Sequence, residues 1–272
     1  MEQKMVKISQ KDVVSLPKRE KDSNKYDYGN ILIFGGSIGF FGAPALSALA
    51  AFRTGSGLVS IALEEEDYPF FLNLNPEVMV KRFLDVEEVT KMIAGKNAIL
   101  FGPGLEDNMM NERILRVLLN SDIPLVIDAT GLTLLKKIGF DSRLNHVIVT
   151  PHIGEARRLL DTNEPIDEVQ KLTDLGATVV LKSHMTKIFQ GAYYGESDHG
   201  HPGMAKAGSG DVLAGIIVSL LGQKYPLLEA AKYGVFLHQL AGQIAVAKHG
   251  EHSLIASDLI ASIPEALLRS GQ

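Results

Sequence analysis

The chain has no cysteine among its 272 residues. That excludes disulfide scaffolds, zinc ribbons, iron-sulfur clusters and thiol nucleophiles, and it fits a reducing compartment. No excess of positive charge exists either: 27 Lys and Arg against 32 Asp and Glu give a net charge of -5, which argues against a broad nucleic-acid-binding surface. No uninterrupted apolar run reaches the length of a membrane span, and no apolar stretch follows the opening MEQKMVKISQKDVV, so neither a membrane helix nor a signal peptide is expected. The expectation is a soluble cytoplasmic protein. Low-complexity tracts are absent too, and with 46% hydrophobic and 22% charged residues the composition is that of a folded globular chain. At this length roughly 70 to 75% of the unfolded surface can be buried, so one α/β domain spanning residues 1–272 is expected.

What is present is a set of short apolar runs rich in Val, Ile and Leu: ILIFG from Ile31, LVSIAL from Leu58, AILFG from Ala98, PLVIDA from Pro124, HVIVT from His146 and TVVLK from Thr178. Most lack alternation, as expected of strands buried on both faces. Helical segments lie between them, such as APALSALAAFRTG with Pro44 in its first turn and Gly55 past its end. The alternation predicts a mainly parallel sheet with helices on both faces, preceded by an arm over residues 1–29. After Lys182, TKIFQG and AYYGESD predict a hairpin, and the remainder is mostly helical. In one of those helices Tyr233, Leu237, Leu240 and Ile244 form a stripe, with Gly250 as its stop and His238, one position off, read as a packed core histidine.

The strongest chemical signal is HPGMAKAGSGDVLAGIIVSLLG, residues 201–222. Gly208, Ser209 and Gly210 deliver backbone N–H groups at the start of an apolar helix, an arrangement suited to phosphate. Asp211 in the first turn suits a base that takes a proton from a hydroxyl attacking phosphorus; a plain capping Asp fits the same spacing. The Lys and Ser or Thr of a P-loop do not follow the glycines, and Gly35-Gly36-Ser37-Ile38-Gly39 lacks the spacing of a dinucleotide fingerprint. Further constellations fall at strand ends: GGSIGFFGAPALSA, FGPGL with Gly102 and Gly104, and TPHIGEARRLL with His152 and Glu155 three apart. The pairs His199 with His201 and His249 with His252 read as surface loop histidines.

Taken in order, GGSIGFFGAPALSALAAFRTGSGLVS, FGPGL, VIDATGL, TPHIGEARRLL, VVLKSHMTKIF, HPGMAKAGSGDVLAGIIVSLLGQ and HQLAGQIAVAKHGEHSLIASDLI resemble the ADP-dependent NAD(P)H-hydrate dehydratases of the ribokinase-like superfamily. The resemblance runs from about Leu16 to Leu268. It implies a three-layer ribokinase-like α/β fold and a repair reaction in which the hydrated ring of NADH or NADPH loses water while ADP, or ATP in some relatives, is consumed with Mg²⁺. It implies Asp211 as base with Gly208, Ser209 and Gly210 holding the developing charge. It further implies Ala43, Gly104, His152 and Asp211 on the hydrated dinucleotide, Lys182, Ser183, His184, Met185, Thr186 and Gly210 on the adenine nucleotide, and Glu155 organising magnesium through water. A homotetramer is implied as well, for which Phe70, Phe71, Leu72 and Leu74 offer a candidate apolar patch. Lys206-Ala207, Thr130, Ile153 and Ser183 depart from the family pattern. The alternatives are an ATP-dependent small-molecule kinase of the same superfamily, acting on a hydroxymethylpyrimidine, a thiazole alcohol or a sugar, and a catalytically silent nucleotide-binding regulator.

Overall fold

A computed structural model describes residues 5–64, 76–140, 143–197 and 199–271. A sheet of ten strands forms the middle layer. In chain order they are β1 (Val6–Lys7), β2 (Asn30–Phe34), β3 (Leu58–Glu64), β4 (Met79–Phe83), β5 (Ala98–Phe101), β6 (Leu125–Ile127), β7 (Val147–Val149), β8 (Thr178–Leu181), β9 (Thr186–Gln190) and β10 (Tyr193–Ser197). Their spatial order is β1-β10-β9-β8-β7-β6-β5-β2-β3-β4. Every neighbouring pair is parallel except the two that involve β9, which runs against β8 and β10.

The alternation of side chains across each strand explains the layering. Ile31, Ile33, Val59, Ile61, Leu100, Val126, Ile148 and Val180 face one core, which is closed by helices α1 (Gly42–Arg53), α8 (Ser209–Gly222), α9 (Leu227–His249) and α10 (Ala256–Arg269). Leu32, Phe34, Ile99, Phe101, Ile127, Val149, Val179 and Leu181 face the other. That second core is closed by α2 (Val86–Ile93), α3 (Met109–Leu119), α4 (Thr130–Ile138) and α5 (Ile153–Leu160); the short helices α6 (Pro165–Glu168) and α7 (Gln170–Thr173) lead into β8. Strands apolar on both faces are what a sheet covered on both sides requires.

All six apolar runs are strands, and the hairpin after Lys182 is β9 and β10. Three features differ from the sequence reading. The arm is stitched into the sheet: Val6–Lys7 pairs with β10, and Ile8 is fully buried. Met79–Phe83 is an edge strand that its mixed MVKRF sequence concealed. Helix α9 is buried nearly all round rather than along one stripe, and Leu240 is only partly buried. The cause is its position between α8, α10 and the sheet, where Gly234 admits Ile217 so closely that a Cβ would sit 2.7 Å from its Cγ1. Phe70, Phe71, Leu72 and Leu74 lie outside the described residues. No helix among the described residues is long and apolar enough to cross a membrane.

The chain winds outward from β2 through β3 to β4, then returns to lay β5 on the other side of β2. The carboxyl ends of β2 and β5 therefore flank a topological switch point, where open parallel sheets form their ligand crevice.

Candidate active site

The loops at the switch point are locked to each other by backbone. Gly36 N donates to Pro103 O at 2.9 Å and Ser37 Oγ donates to Gly104 O at 2.8 Å. Gly104 sits at φ +70, and a Cβ there would lie 2.5 Å from Phe40 O, so only glycine permits the approach. Ala43 opens α1 beside them. Ser47 Oγ lies 3.2 Å from Ala43 O and 2.9 Å from Asp211 O, and Gly215 packs on the Ser47 backbone, so α1 and α8 are joined at this level.

Three further strand ends bring charge. Asp128 follows β6 and is 2% exposed; the next residue, Ala129, adopts φ +49 to turn the chain into α4. Lys182 follows β8, with Nζ 2.7 Å from Asp128 Oδ1 and 4.0 Å from Glu155 Oε2. His152 follows β7 and caps α5: its Nδ1 accepts from Gly154 N at 3.0 Å and Glu155 N at 3.3 Å, while Glu155 Oε2 accepts from His152 N at 2.8 Å. A ring nitrogen that accepts carries no hydrogen, so Nε2, 3.6 Å from Glu155 Oε1, holds the ring proton. A parallel bridge between His152 and Lys182 fixes the two strand ends side by side.

The N-terminus of α8 completes the site. Gly208, at φ +88, is its cap residue and supplies no side-chain cap. A Cβ on Gly208 would meet Leu46 Cδ1 at 2.5 Å, and one on Gly210 would lie 3.2 Å from Lys182 Nζ, so the ammonium rests against the glycine backbone. Asp211 is in the first turn. Burial pushes its carboxyl up to about 6; Asp128 and Glu155 push the same way, and Lys182 pulls against them. Burial pulls the Lys182 ammonium down, but Asp128, Glu155 and Asp211 outweigh it and hold the group above its ordinary value. The result is a fixed cation beside uncapped amides and a carboxylate that exchanges its proton close to neutrality.

A cavity of about 610 Å³ opens against this helix start. Lys182, Ser183, His184, Thr186 and Gly210 all line it, and His152 and Ser209 do as well. Met185 does not line it; its carbonyl accepts from Ser183 Oγ at 2.5 Å instead. Ala43, Gly104 and Asp211 do not line it; Ser47 Oγ, within reach of both Ala43 O and Asp211 O, joins the start of α1 to that of α8. Lys206, one of the departures, reaches His252 O at 3.1 Å. The Ser209 amide, one of three expected to face an anion, donates to Lys206 O at 3.3 Å within the turn.

Three residues of the site escaped the sequence reading or were read otherwise. Asp128 was legible as a carboxylate closing an all-apolar strand, PLVIDA. His238 is buried, 8% exposed, as its reading as a core histidine expected, and in addition it lines the cavity and contacts Ser209. His201, read as a loop histidine, lines the cavity with Nδ1 accepting from Gly203 N at 3.1 Å. Among the described residues no group of three or more His, Asp or Glu is arranged to hold a metal by itself.

Comparison with known proteins identifies the family and the fold. The family profile described as NAD(P)H-hydrate dehydratase matches residues 31–265. An ADP-dependent (S)-NAD(P)H-hydrate dehydratase from Staphylococcus aureus is 37% identical over 85% of this chain and 86% of its own. A ribokinase-like superfamily protein from Enterococcus faecalis superposes with a TM-score of 0.88 at 30% identity, covering 98% of this chain and 97% of its own. The ADP/ATP-dependent NAD(P)H-hydrate dehydratase of Bacillus subtilis, crystallised with ATP and Mg²⁺, gives 0.81 at 28% identity, covering 98% and 99%. Against the bifunctional NAD(P)H-hydrate repair enzymes the chain spans about half of the relative's length. The fold is ribokinase-like, and the chain belongs to the NAD(P)H-hydrate dehydratase family.

Proposed function

We propose that this chain removes water from the S-form of NADH hydrate or NADPH hydrate at the expense of ADP, yielding NAD(P)H, AMP and phosphate. The observation that carries the reading is Asp211: a carboxyl pushed up to about 6, at an uncapped helix start beside the Lys182 ammonium. Such a group is a good base near neutrality. It takes the proton of the ring hydroxyl as that oxygen attacks the terminal phosphorus, and the bond to the AMP oxygen breaks. Helix-terminal amides and Lys182 stabilise the charge on the phosphoryl oxygens. The new ester then departs as phosphate with the carbon–oxygen bonding pair; a proton leaves the adjacent ring carbon, and the double bond returns.

The residue roles follow from this assignment. The cavity lined by Lys182, Ser183, His184 and Thr186 takes the adenine nucleotide, supported by its volume and its closeness to Gly210. The glycine loops near Ala43 and Gly104 take the hydrated dinucleotide, with His152 at its edge and Asp211 between. Glu155 is 14% exposed and both its oxygens already face His152, one at 2.8 Å from the amide and one at 3.6 Å from Nε2. That fits a carboxylate that meets Mg²⁺ through water, with phosphates and water supplying most ligands. Held beside Glu155, Mg²⁺ would supply positive charge that offsets the charge of the nucleotide's phosphates. A cytoplasmic location and a homotetramer belong to the same reading; sedimentation equilibrium tests the latter, and a single species at 29.5 kDa overturns it.

The deciding experiment incubates the protein with NADH hydrate, ADP and magnesium. Return of the reduced-nicotinamide absorbance with equimolar AMP supports the proposal. A stable phosphorylated product from another small alcohol, with no return of absorbance, makes the chain a kinase of the same fold.

A further inference from the structure

The α8 helix start offers a different set of backbone donors from the one its glycine-rich sequence suggests. Val212 N donates to Gly208 O at 3.0 Å, and Ser209 N donates to Lys206 O at 3.3 Å. Gly208, Gly210 and Asp211 are left as the helix-start amides open to an anion. A terminal phosphoryl group carries three oxygens with several lone pairs, so a side-chain hydroxyl at this start can donate to it beside these amides and Lys182.

His238 supplies the geometry that aims such a hydroxyl. Its Nε2 lies 3.0 Å from Ser209 O and 3.2 Å from Ser209 Oγ. A carbonyl oxygen only accepts, so Nε2 carries a hydrogen, shared between that carbonyl and the hydroxyl oxygen. The serine oxygen turned toward this N–H presents a lone pair, and its own hydrogen points elsewhere. Both Ser209 and His238 line the cavity.

We propose that the Ser209 hydroxyl is an additional donor of the phosphate cradle, and that His238 is a positioning residue that aims it at the terminal phosphoryl group of the nucleotide. The inference deepens the function proposed above and rests on its assignment of this cavity to an adenine nucleotide. Burial holds the imidazole down at about 4, with the Lys182 ammonium adding to the effect, so the ring is neutral at working pH and its influence runs through the serine rather than through a charge on phosphate. His238 itself is held by α9, whose glycines bring it close: Gly234 admits Ile217 of α8, and Gly242 admits the Met204 side chain.

Calorimetric titration of ADP and of AMP into wild type, Ser209→Ala, His238→Leu, the double variant and His238→Gln tests this, because AMP lacks the phosphoryl group concerned. Ser209→Ala should weaken ADP about tenfold or more, as expected for a hydrogen bond to a charged group, and leave AMP within about twofold. His238→Leu should do the same. The double variant should be no worse than Ser209→Ala alone, because the two residues act as one unit. His238→Gln, whose amide places an N–H near the position of Nε2–H, should keep the ADP preference. If His238→Leu does not fold, His238→Asn, with its shorter amide, replaces it. Equal weakening of ADP and AMP, or losses that multiply in the double variant, overturns the proposal. Wild type that separates ADP from AMP through Ser209 but restores no NADH from its hydrate refutes the dehydratase reading and leaves this inference standing.

Discussion

Helices α5 and α8 begin at the same end of the sheet, and they end their N-termini in opposite ways. The first closes on itself: His152 Nδ1 and Glu155 Oε2 accept three of its early amides. The second carries no side-chain cap, and its cap residue is a glycine at φ +88. Helix-start amides without an internal partner are met by water or by a ligand, and an anion is favoured there. Lys182 stands between the two, 4.0 Å from Glu155 and against Gly210. Other helices here also start without a side-chain cap, so what sets the α8 start apart is the Lys182 ammonium against its glycine and the buried Asp211 in its first turn, while the closed helix supplies Glu155, one of the carboxylates that raise Asp211.

The comparison breaks most severely at Asp211. Asp211→Asn keeps the shape of the open start but cannot take a proton, so dehydration should fall by at least about 100-fold while ADP still binds. Steady-state rates with NADH hydrate check this, and near-normal turnover removes Asp211 from the mechanism. For wild type, kcat/KM should decline as pH falls through about 6, because the base must be ionised and burial holds its carboxyl at that value.

Lys182→Met removes the cation shared by both helix starts. Asp128, 2% exposed, is left without its 2.7 Å partner, at a cost of about 3 kcal/mol or more in stability. The acid limb of the pH profile should also move upward, since Lys182 is the group that pulls the Asp211 carboxyl down. Denaturant melts and a pH series on the same variant separate the two effects. An unmoved limb would detach Lys182 from the base.

A smaller effect has the opposite sign. Asp211 binds its proton more tightly folded than unfolded, so its ionisation opposes folding once pH exceeds the unfolded value near 4, and the penalty is complete above about 6. Asp211→Asn should therefore gain on the order of 1 to 2 kcal/mol at pH 7 to 8, less than the full displacement gives because the group retains some solvent. The gain should vanish below about pH 4. Chemical melts at both pH values test it, and an equal gain at each would assign it to packing.

Legibility in the sequence followed the physics of each region. The central strands were readable because strands buried on both faces need unbroken apolar runs, whereas Val6–Lys7 and Met79–Phe83 lie at the sheet's edges and carry no such pattern. Asp211 and its glycines were readable because a cap position and a positive φ constrain residue type. The Asp128 partnership with Lys182 was not, because 54 residues separate a pair that the sheet register brings within 2.7 Å. The same holds for His238, buried as the sequence reading expected, whose contact with Ser209 at the cavity wall follows only from where α9 packs.

The comparison is sharpened most finely at His152, whose loss turns the closed helix start into an open one. His152→Ala removes the acceptor of the Gly154 and Glu155 amides and should cost on the order of 1 kcal/mol, the usual worth of a cap. It also leaves Glu155 Oε1 without the ring 3.6 Å away. On the proposed assignment the KM for the hydrate should rise more than that for ADP, because His152 follows the β7 strand end on the side of the dinucleotide. The geometry allows a clear contrary result, since the same ring lines the cavity with Lys182 and Ser183. A larger rise in the KM for ADP would give His152 to the nucleotide. An unchanged KM for both substrates with a lower melting temperature would make it a cap and nothing more.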